Sequence, residues 1–373
     1  MHPHTVRVSA LLVSLLLGLT LAGCAIAPEL RLPSGVVYPS ITPDADVTGV
    51  QTVSHTFRFE GADRTVTVDV DESVYRGAKA ATKSVIRFGG ARADDWIESY
   101  YPAFIWEEHQ DEFFAALLAS LRQIRDAEQL DSDRYAELLT VFAQSLPYHT
   151  DPVDLEPKFP IETFAEKAGD CDDKALLLAG LLAREGYDVA IMLFDAEQHV
   201  SLGLRVDSSG YRGTGYAFVE TTSPGFIGMV PDALDGGIEL RSTPHVFSID
   251  GGSARYGAEN QVDAILEAVE LAAERIDVLS SQIERADADI RALESRVSAE
   301  AARLEQLRAA DRIAEYNVAV PGYNALVAEF NQRAEERNAV ADDYNRWVDL
   351  QHFVADNLDD RPGVYRHVIA SLR

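Results

Sequence analysis

The sequence predicts an α+β protein followed by a long helical segment, and three observations lead to this prediction. Residues 173–184 are apolar almost all round, which is typical of a buried helix. Three strand-like segments follow at Val189–Phe194, 200–206 and 216–221, and their short Gly-containing connections favour an antiparallel sheet. After about residue 260 the apolar residues recur in heptads, which indicates a coiled-coil helix.

Composition and charge exclude several classes of function. The chain has 373 residues, with 33 Lys plus Arg against 61 Asp plus Glu, so its formal net charge is −28. Because nucleic acids attract basic patches, we expect no nucleic-acid partner. Two cysteines in the whole chain exclude a disulfide-rich scaffold, a Cys-based zinc site and an iron–sulfur cluster. We expect no cofactor.

The N-terminus resembles a bacterial export signal. Arg7 precedes an apolar run at residues 10–21, which is too short to span about 30 Å of hydrocarbon. The Leu-Ala-Gly-Cys sequence ending at Cys24 resembles a lipobox. This resemblance implies cleavage after residue 23, a diacylglyceryl group on Cys24 and a mature protein tethered outside the cytoplasmic membrane. An ordinary signal with a coincidental cysteine is the alternative. Residues 24–50 would then be the lipidated cysteine and an extended spacer.

The next two regions are predicted from their periodicities. Within residues 51–93, segments 52–59 and 64–70 alternate apolar and polar residues around a turn-like Glu-Gly-Ala-Asp, which indicates a β-hairpin. From residue 94 the pattern becomes helical, with one apolar stripe on each of two helices: Phe113, Phe114, Leu117, Leu118, Leu121 and Ile124, then Tyr135, Leu138, Leu139 and Phe142.

The C-terminal region carries two heptad patterns of different phase. The first consists of Val, Ile or Leu at every seventh position from 262 to 304. The second places Asn at 317, 324, 331, 338 and 345. Because Pro321 and Gly322 lie near the change of phase, residues 259–357 are predicted to form an antiparallel helical hairpin that turns near Pro321, with one kinked helix as the alternative. This hairpin would pack on itself or on a partner helix, and residues 358–373 would be a tail.

Apart from the cysteine of the lipobox, the exported chain has one thiol, at Cys171. It lies directly before the buried helix, where the helix dipole and free N–H groups favour thiolate and can receive an oxyanion. The aspartates at 170, 172 and 173 oppose this effect unless they cap the helix, and Asp170 with Asp173 has the spacing of a capping box. The alternatives are an inert buried thiol and an acidic metal site.

A nucleophilic cysteine needs a base, and two residues supply the rest of a triad. His199 lies at the start of one predicted strand, and Glu220 lies near the end of the next. Adjacent antiparallel strands bring such side chains together, so that the carboxylate fixes the imidazole tautomer while the other ring nitrogen faces the thiol. A hydrogen-bonded strand histidine is the alternative for His199 alone.

These motifs resemble the transglutaminase-like superfamily of papain-related cysteine enzymes. The resemblance covers roughly residues 100–235, and it is carried by Gly-Asp-Cys-Asp-Asp-Lys-Ala at 169–175, Gly-Tyr-Asp-Val at 186–189, His199, and Tyr-Ala-Phe-Val-Glu-Thr-Thr at 216–222. It implies a transglutaminase-like domain over residues 94–258, with helices packed on an antiparallel sheet. Glu220 stands where the superfamily usually has Asp.

The resemblance implies acyl transfer through a thioester. Cys171 would attack a peptide or carboxamide carbonyl of a protein substrate, His199 would carry the proton, and Glu220 would orient His199. The acyl group would then pass to water or to an amine, and we expect hydrolysis somewhat more than cross-linking. The alternative is a catalytically inactive surface binding or scaffold protein that works through its coiled coil.

Overall fold

The computed structural model describes most of the chain and confirms the α+β class. The described residues are 35–88, 96–150, 156–234, 237–249 and 251–373. The predicted signal peptide and Cys24 lie outside them. Among the described residues, no helix combines the length and apolar character needed to cross a membrane.

The N-terminal part is built on the predicted β-hairpin. Strands β1 (Gly35–Val37) and β4 (Ile86–Phe88) pair with each other, and β2 (Val50–Phe59) pairs with β3 (Ala62–Asp71) before helix α1 (Glu72–Ala80). Glu60 and Gly61 connect β2 to β3, both with positive φ, as a tight two-residue hairpin turn requires. The inward-facing residues of β2 and β3 pack against the helical layer that follows, so the alternating pattern is confirmed.

The helical layer surrounds one buried helix. Its members are α2 (Ile97–Ile105), α3 (Asp111–Ala127), α4 (Ser132–Gln144), α5 (Pro160–Glu166) and α6 (Cys171–Arg184), with a short 3₁₀ turn at Glu108–Gln110. Every residue of α6 from 173 to 183 is buried, because this helix has protein on all sides. The two predicted apolar stripes lie on α3 and α4 and face the same core.

The sheet has four antiparallel strands in the order β7-β6-β5-β8. The predicted strands are confirmed as β5 (Val189–Phe194), β6 (His199–Arg205) and β7 (Tyr216–Val219), and a 3₁₀ turn at Tyr211–Gly213 precedes β7. Helix α6 covers one face of the sheet. Strand β8 (His245–Ile249) was not predicted, because it is a short, partly exposed edge strand without clear alternation.

The predicted helical hairpin is confirmed, but its predicted turn is wrong. Helices α7 (Glu259–Ala309) and α8 (Ile313–Ala355) pack side by side, and the chain reverses at residues 310–312 rather than near Pro321. Asp311 adopts a φ of 55°, a left-handed conformation that Asp tolerates better than most residues, and this permits the reversal. Helix α8 then continues through Pro321.

The last segment is a helix rather than a tail. Helix α9 (Arg361–Ser371) begins after Asp360, whose side chain accepts a hydrogen bond from the Gly363 N–H. Val364 and Val368 of α9 join the apolar cluster at the base of the helical hairpin, together with Val262 of α7. This helix therefore attaches the helical hairpin to the α+β part.

Candidate active site

The nucleophile candidate lies at the start of α6, where the predicted capping box forms. The Asp173 N–H donates to Asp170 Oδ1 at 3.3 Å, and the Asp170 N–H donates to Asp173 Oδ2 at 3.2 Å. Asp173 also accepts the Lys158 N–H at 2.6 Å. Gly169 is required by this arrangement, because a Cβ there would lie 2.5 Å from the Asp173 Cβ. Two of the three aspartates thus serve the helix end.

The third aspartate faces the thiol. Cys171 is half-buried and its Sγ–H donates to Asp172 Oδ1 at 3.3 Å. Burial, followed by the charges of Asp172 and Asp170, raises the pKa of Cys171 well above its ordinary value, although the Val200 N–H acts in the opposite direction. Burial and the charge of Asp170 raise the pKa of Asp172 to about 7. Burial and the two carboxylates therefore favour the thiol form of Cys171.

His199 and Glu220 form the predicted pair. His199 is the first residue of β6, Glu220 follows the last residue of β7, and His199 Nε2 lies 3.0 Å from Glu220 Oε2. Both residues are buried, with 5% and 3% of their surfaces exposed. Because the carboxylate accepts, Nε2 carries the hydrogen in the neutral ring and Nδ1 is the free lone pair. Among the residues that the structure describes, Nδ1 has no other hydrogen-bond partner.

Glu220 is held as a carboxylate by local donors. The N–H groups of Thr221 and Thr222 donate to Oε1 at 3.0 and 2.8 Å, and the Thr222 hydroxyl donates to it at 2.6 Å. Burial alone would raise the pKa of Glu220, but the hydrogen bonds from His199 and Thr222 keep it below its ordinary value. The site therefore contains an anion that can stabilise an imidazolium.

Cys171 lies close to the start of β6, where His199 pairs with Glu220. The Val200 N–H, which follows His199 in β6, affects the Cys171 thiol directly, and the His199 ring influences the pKa of Asp172. The fold thus brings the start of α6 to the start of β6. The catalytic roles of Cys171, His199 and Glu220 stay predictions.

A buried lysine in the helix that begins with Cys171 was not predicted to have a role. Lys174, one turn after Cys171, is fully buried, and its ammonium donates to the carbonyls of Gln144 and Leu146 at 3.1 and 2.8 Å. Burial lowers the pKa of Lys174 to about 8, while the charge of Glu220 raises it. The available signal in the sequence was a lysine inside a helix that is otherwise apolar almost all round.

Tyr101 of α2 is a further neighbour that sequence reasoning missed. It is 6% exposed, and burial raises its pKa well above the ordinary value, with the charges of Asp172 and Cys171 adding to the effect. Helix α2 also borders a cleft of about 490 Å³, whose lining residues are Glu98, Ser99, Pro102, Trp106 and Ser248. The available sequence signal was the run of aromatic residues in α2, Tyr100, Tyr101 and Phe104.

The acidic residues do not make a persuasive metal centre. One group of three potential metal ligands is found among the described residues. It consists of Asp170, Cys171 and Asp172, whose ligand atoms lie within 4.8 Å of one another. Asp170 already accepts the Asp173 N–H, and two carboxylates with one protonated thiol match neither a zinc nor a calcium ligand set. We assign no metal to these residues.

No protein-family model, curated protein or solved structure matches this chain. The resemblance to the transglutaminase-like superfamily therefore depends on the motifs quoted above, and the superfamily remains a hypothesis.

Proposed function

We propose that this chain is a transglutaminase-like cysteine enzyme that acts by thioester acyl transfer on peptide or carboxamide bonds. The observation that carries the proposal is the buried hydrogen bond of 3.0 Å between His199 Nε2 and Glu220 Oε2. It lies at the start of β6, close to Cys171, the first residue of α6. A buried imidazole held by a buried carboxylate beside a helix-terminal thiol is the arrangement that nucleophilic catalysis requires. The same features define the proposed reaction.

In the proposed reaction, Cys171 Sγ attacks the carbonyl carbon while its proton passes to His199 Nδ1. Backbone N–H groups near the start of α6 would stabilise the resulting oxyanion. The C–N bond then breaks, the amine leaves with the proton from His199, and a thioester remains on Cys171. Water or an amine attacks the thioester, gives a proton to His199, and releases the thiol.

Glu220 has two tasks in this scheme. It accepts the Nε2 hydrogen, which leaves Nδ1 as the basic nitrogen, and it stabilises the positive charge on His199 after proton transfer. Because Cys171 rests as a thiol beside Asp172, proton transfer to His199 must accompany attack on a bound carbonyl. We therefore expect the Cys171 thiol to react slowly with electrophiles until a bound substrate excludes water from the site.

The proposed setting follows from the N-terminal motif. With a lipid on Cys24, the protein would be anchored outside the cytoplasmic membrane and would act on surface peptides or proteins. Hydrolysis is slightly favoured over cross-linking, as we expect for an isolated surface domain. The helical hairpin would then serve self-association or a partner helix.

A second candidate function is a catalytically inactive surface scaffold. The observation in its favour is that the Cys171 thiol has a carboxylate neighbour at 3.3 Å, which together with burial raises the pKa of Cys171. The 51-residue helix α7 would then be the functional part, and it spans about 76 Å at 1.5 Å per residue.

An activated peptide ester separates the two candidates without knowledge of the natural substrate. The wild-type chain is mixed with the ester, and the acylated residue is located by mass spectrometry. We expect acyl transfer to Cys171, no acylation in Cys171→Ala, and acylation slowed by roughly 10²-fold or more in His199→Ala. Equal rates in the wild type and His199→Ala would refute general-base catalysis by His199 and favour the scaffold.

A further inference from the structure

Lys174 is an unusual residue for its position. Its ammonium is fully buried in the core of the helical layer, where an apolar side chain of similar length would avoid the desolvation cost. Its two hydrogen bonds go to the carbonyls of Gln144 and Leu146, at the end of α4, where the helix dipole is negative. Lys174 therefore fixes the end of α4 to the helix that carries Cys171.

Gln144 continues this connection towards the other half of the site. Its side chain is buried, and its Nε2 group donates to the carbonyls of Glu220 and Gly225 at 2.8 and 3.0 Å. Its Oε1 accepts the Gly225 N–H at 3.4 Å. Every polar group of this side chain is thus used to hold the backbone of the segment that begins with Glu220.

These bonds form one path from the nucleophile to the carboxylate. The path runs from α6 through the Lys174 ammonium to the Gln144 backbone, and from the Gln144 side chain to the Glu220 backbone. Lys174 is also the cation whose pKa responds to the charge of Glu220. The hydrogen bond of the Lys174 ammonium and that of the Gln144 side chain are both buried, so competing water does not weaken them.

We infer that Lys174 and Gln144 are positioning residues, which hold Glu220, and through it the His199 ring, in a fixed place relative to Cys171. This inference rests on the proposed function. Neither residue touches the reacting atoms. Their contribution is to keep His199 Nδ1 available to the thiol, since loss of the Glu220 position would free the imidazole to rotate or change tautomer.

The chain offers a matched control for a purely structural effect. Gln110 is a second buried glutamine, and it makes the same kinds of bond: its Nε2 donates to the Phe104 carbonyl at 2.8 Å, and its Oε1 accepts the Ile161 N–H at 3.0 Å. These partners belong to α2 and α5, away from Glu220. Gln110→Met and Gln144→Met therefore remove hydrogen bonds of the same kinds from different places, two at Gln110 and three at Gln144.

The test compares Gln144→Met, Lys174→Met and Gln110→Met in the full mature chain. We measure the denaturation midpoint, the rate of Cys171 acylation by the activated peptide ester, and the ¹⁵N chemical shifts of His199, which report its tautomer. All three variants are expected to lower the midpoint. Gln144→Met and Lys174→Met are also expected to slow acylation roughly 10- to 100-fold at saturating ester and to populate the second tautomer, whereas Gln110→Met does neither.

The inference is overturned if Gln144→Met keeps the wild-type His199 tautomer and its Cys171 is acylated at a rate within about twofold of the rate in Gln110→Met. If Lys174→Met does not fold, Gln144→Glu, which keeps the shape and removes the amide donors, replaces it in the comparison. Failure of the proposed function has a different signature: the wild-type chain would not acylate Cys171, yet the His199 tautomer would still report whether Gln144 positions Glu220.

Discussion

Asp172 is the charged side chain in direct contact with the Cys171 thiol. It accepts the thiol hydrogen at 3.3 Å and contributes most to the raised pKa after burial. Asp170 and Asp173 are held in the capping box, so the three aspartates of the motif have separate tasks. The motif thus places a charged neighbour beside the proposed nucleophile.

Replacing the restraining carboxylate should accelerate alkylation of the thiol. In Asp172→Asn, loss of the negative charge lowers the pKa of Cys171, and the larger thiolate fraction is partly offset by weaker nucleophilicity. We expect iodoacetamide to react about 3- to 10-fold faster with Cys171 at pH 7. Asp63→Asn, an exposed change in β3, is the control. An unchanged or slower rate would show that Asp172 does not restrain the thiol.

The buried carboxyl groups also predict how stability depends on pH. Burial raises the pKa of Asp172 to about 7, of Glu137 to about 7 and of Asp173 to about 6. A raised folded-state pKa means that the folded chain binds more protons than the unfolded chain between about pH 4 and pH 7. The contribution of these carboxyl groups to the free energy of unfolding is therefore complete below about pH 4 and is lost as the pH rises through 7.

Urea denaturation at pH 5, 6, 7 and 8 measures this dependence. We expect the free energy of unfolding to fall from pH 5 to pH 8, and the dependence to weaken in Asp172→Asn by about 1 to 4 kcal/mol over this range. A wild-type free energy that is constant or increases towards pH 8 would contradict the assigned protonation states.

Helix α6 is packed so closely against α3 that a glycine in its middle cannot be replaced without a clash. Gly180 lies in the middle of α6, and a Cβ there would approach the buried Phe114 ring of α3 to 2.4 Å. Gly322 of α8 is the counterpart on an exposed helix, where a Cβ would have no atom within 4 Å. Helix propensity favours Ala at both positions, but space exists at only one of them.

The same substitution should therefore have opposite signs at these two glycines. We expect Gly180→Ala to lower the free energy of unfolding by about 1 to 3 kcal/mol, because Phe114 must move. Gly322→Ala should raise it by about 0.5 to 1 kcal/mol, because Ala is the better helix former. Thermal and urea denaturation provide both values. Stabilisation by Gly180→Ala would mean that α3 and α6 are less closely packed than described.

Comparison of the elements with their sequence signals shows which features were predictable. Helices α3, α4, α6 and the two long helices follow from their apolar patterns, and β5, β6 and β7 follow from apolar segments between Gly-containing turns, because many residues contribute to each signal. Helix α9 was predicted as a tail. The turn of the helical hairpin depends on one residue, Asp311, and no periodic signal marks it. The pair of His199 and Glu220 was predictable because strand order brings their strands together. The roles of Lys174 and Gln144 were not, because their partners are backbone carbonyls of distant segments.

In the molecule as a whole, a buried ion pair joins the α+β part to the C-terminal helices. Glu137 of α4 binds Arg361 of α9, and the Tyr256 hydroxyl donates to Glu137 at 2.7 Å. Both charged side chains are almost completely buried. Nearby, Asp359 accepts the Glu60 and Gly61 N–H groups of the β-hairpin. The helical hairpin is therefore fixed to the α+β part through a small set of polar contacts.

Breaking this ion pair should destabilise the protein strongly. In Arg361→Met the carboxylate of Glu137 loses its partner within the core, and we expect a loss of about 3 to 5 kcal/mol in the free energy of unfolding. The exposed pair of Arg303 and Glu300 is the control, and Arg303→Met should change stability by less than about 1 kcal/mol. Similar effects of the two substitutions would show that the joint is not held by this pair.

Profiling of surface peptides tests the central claim, acyl transfer by Cys171 with His199 as its base, most directly. A complex mixture of peptides is incubated with the wild-type chain, with Cys171→Ala and with His199→Ala, and mass spectrometry records new termini, deamidated residues and cross-links together. We predict products that appear with the wild-type chain and are absent with both variants. Identical product profiles for the wild-type chain and Cys171→Ala would contradict the assignment of this chain as an enzyme.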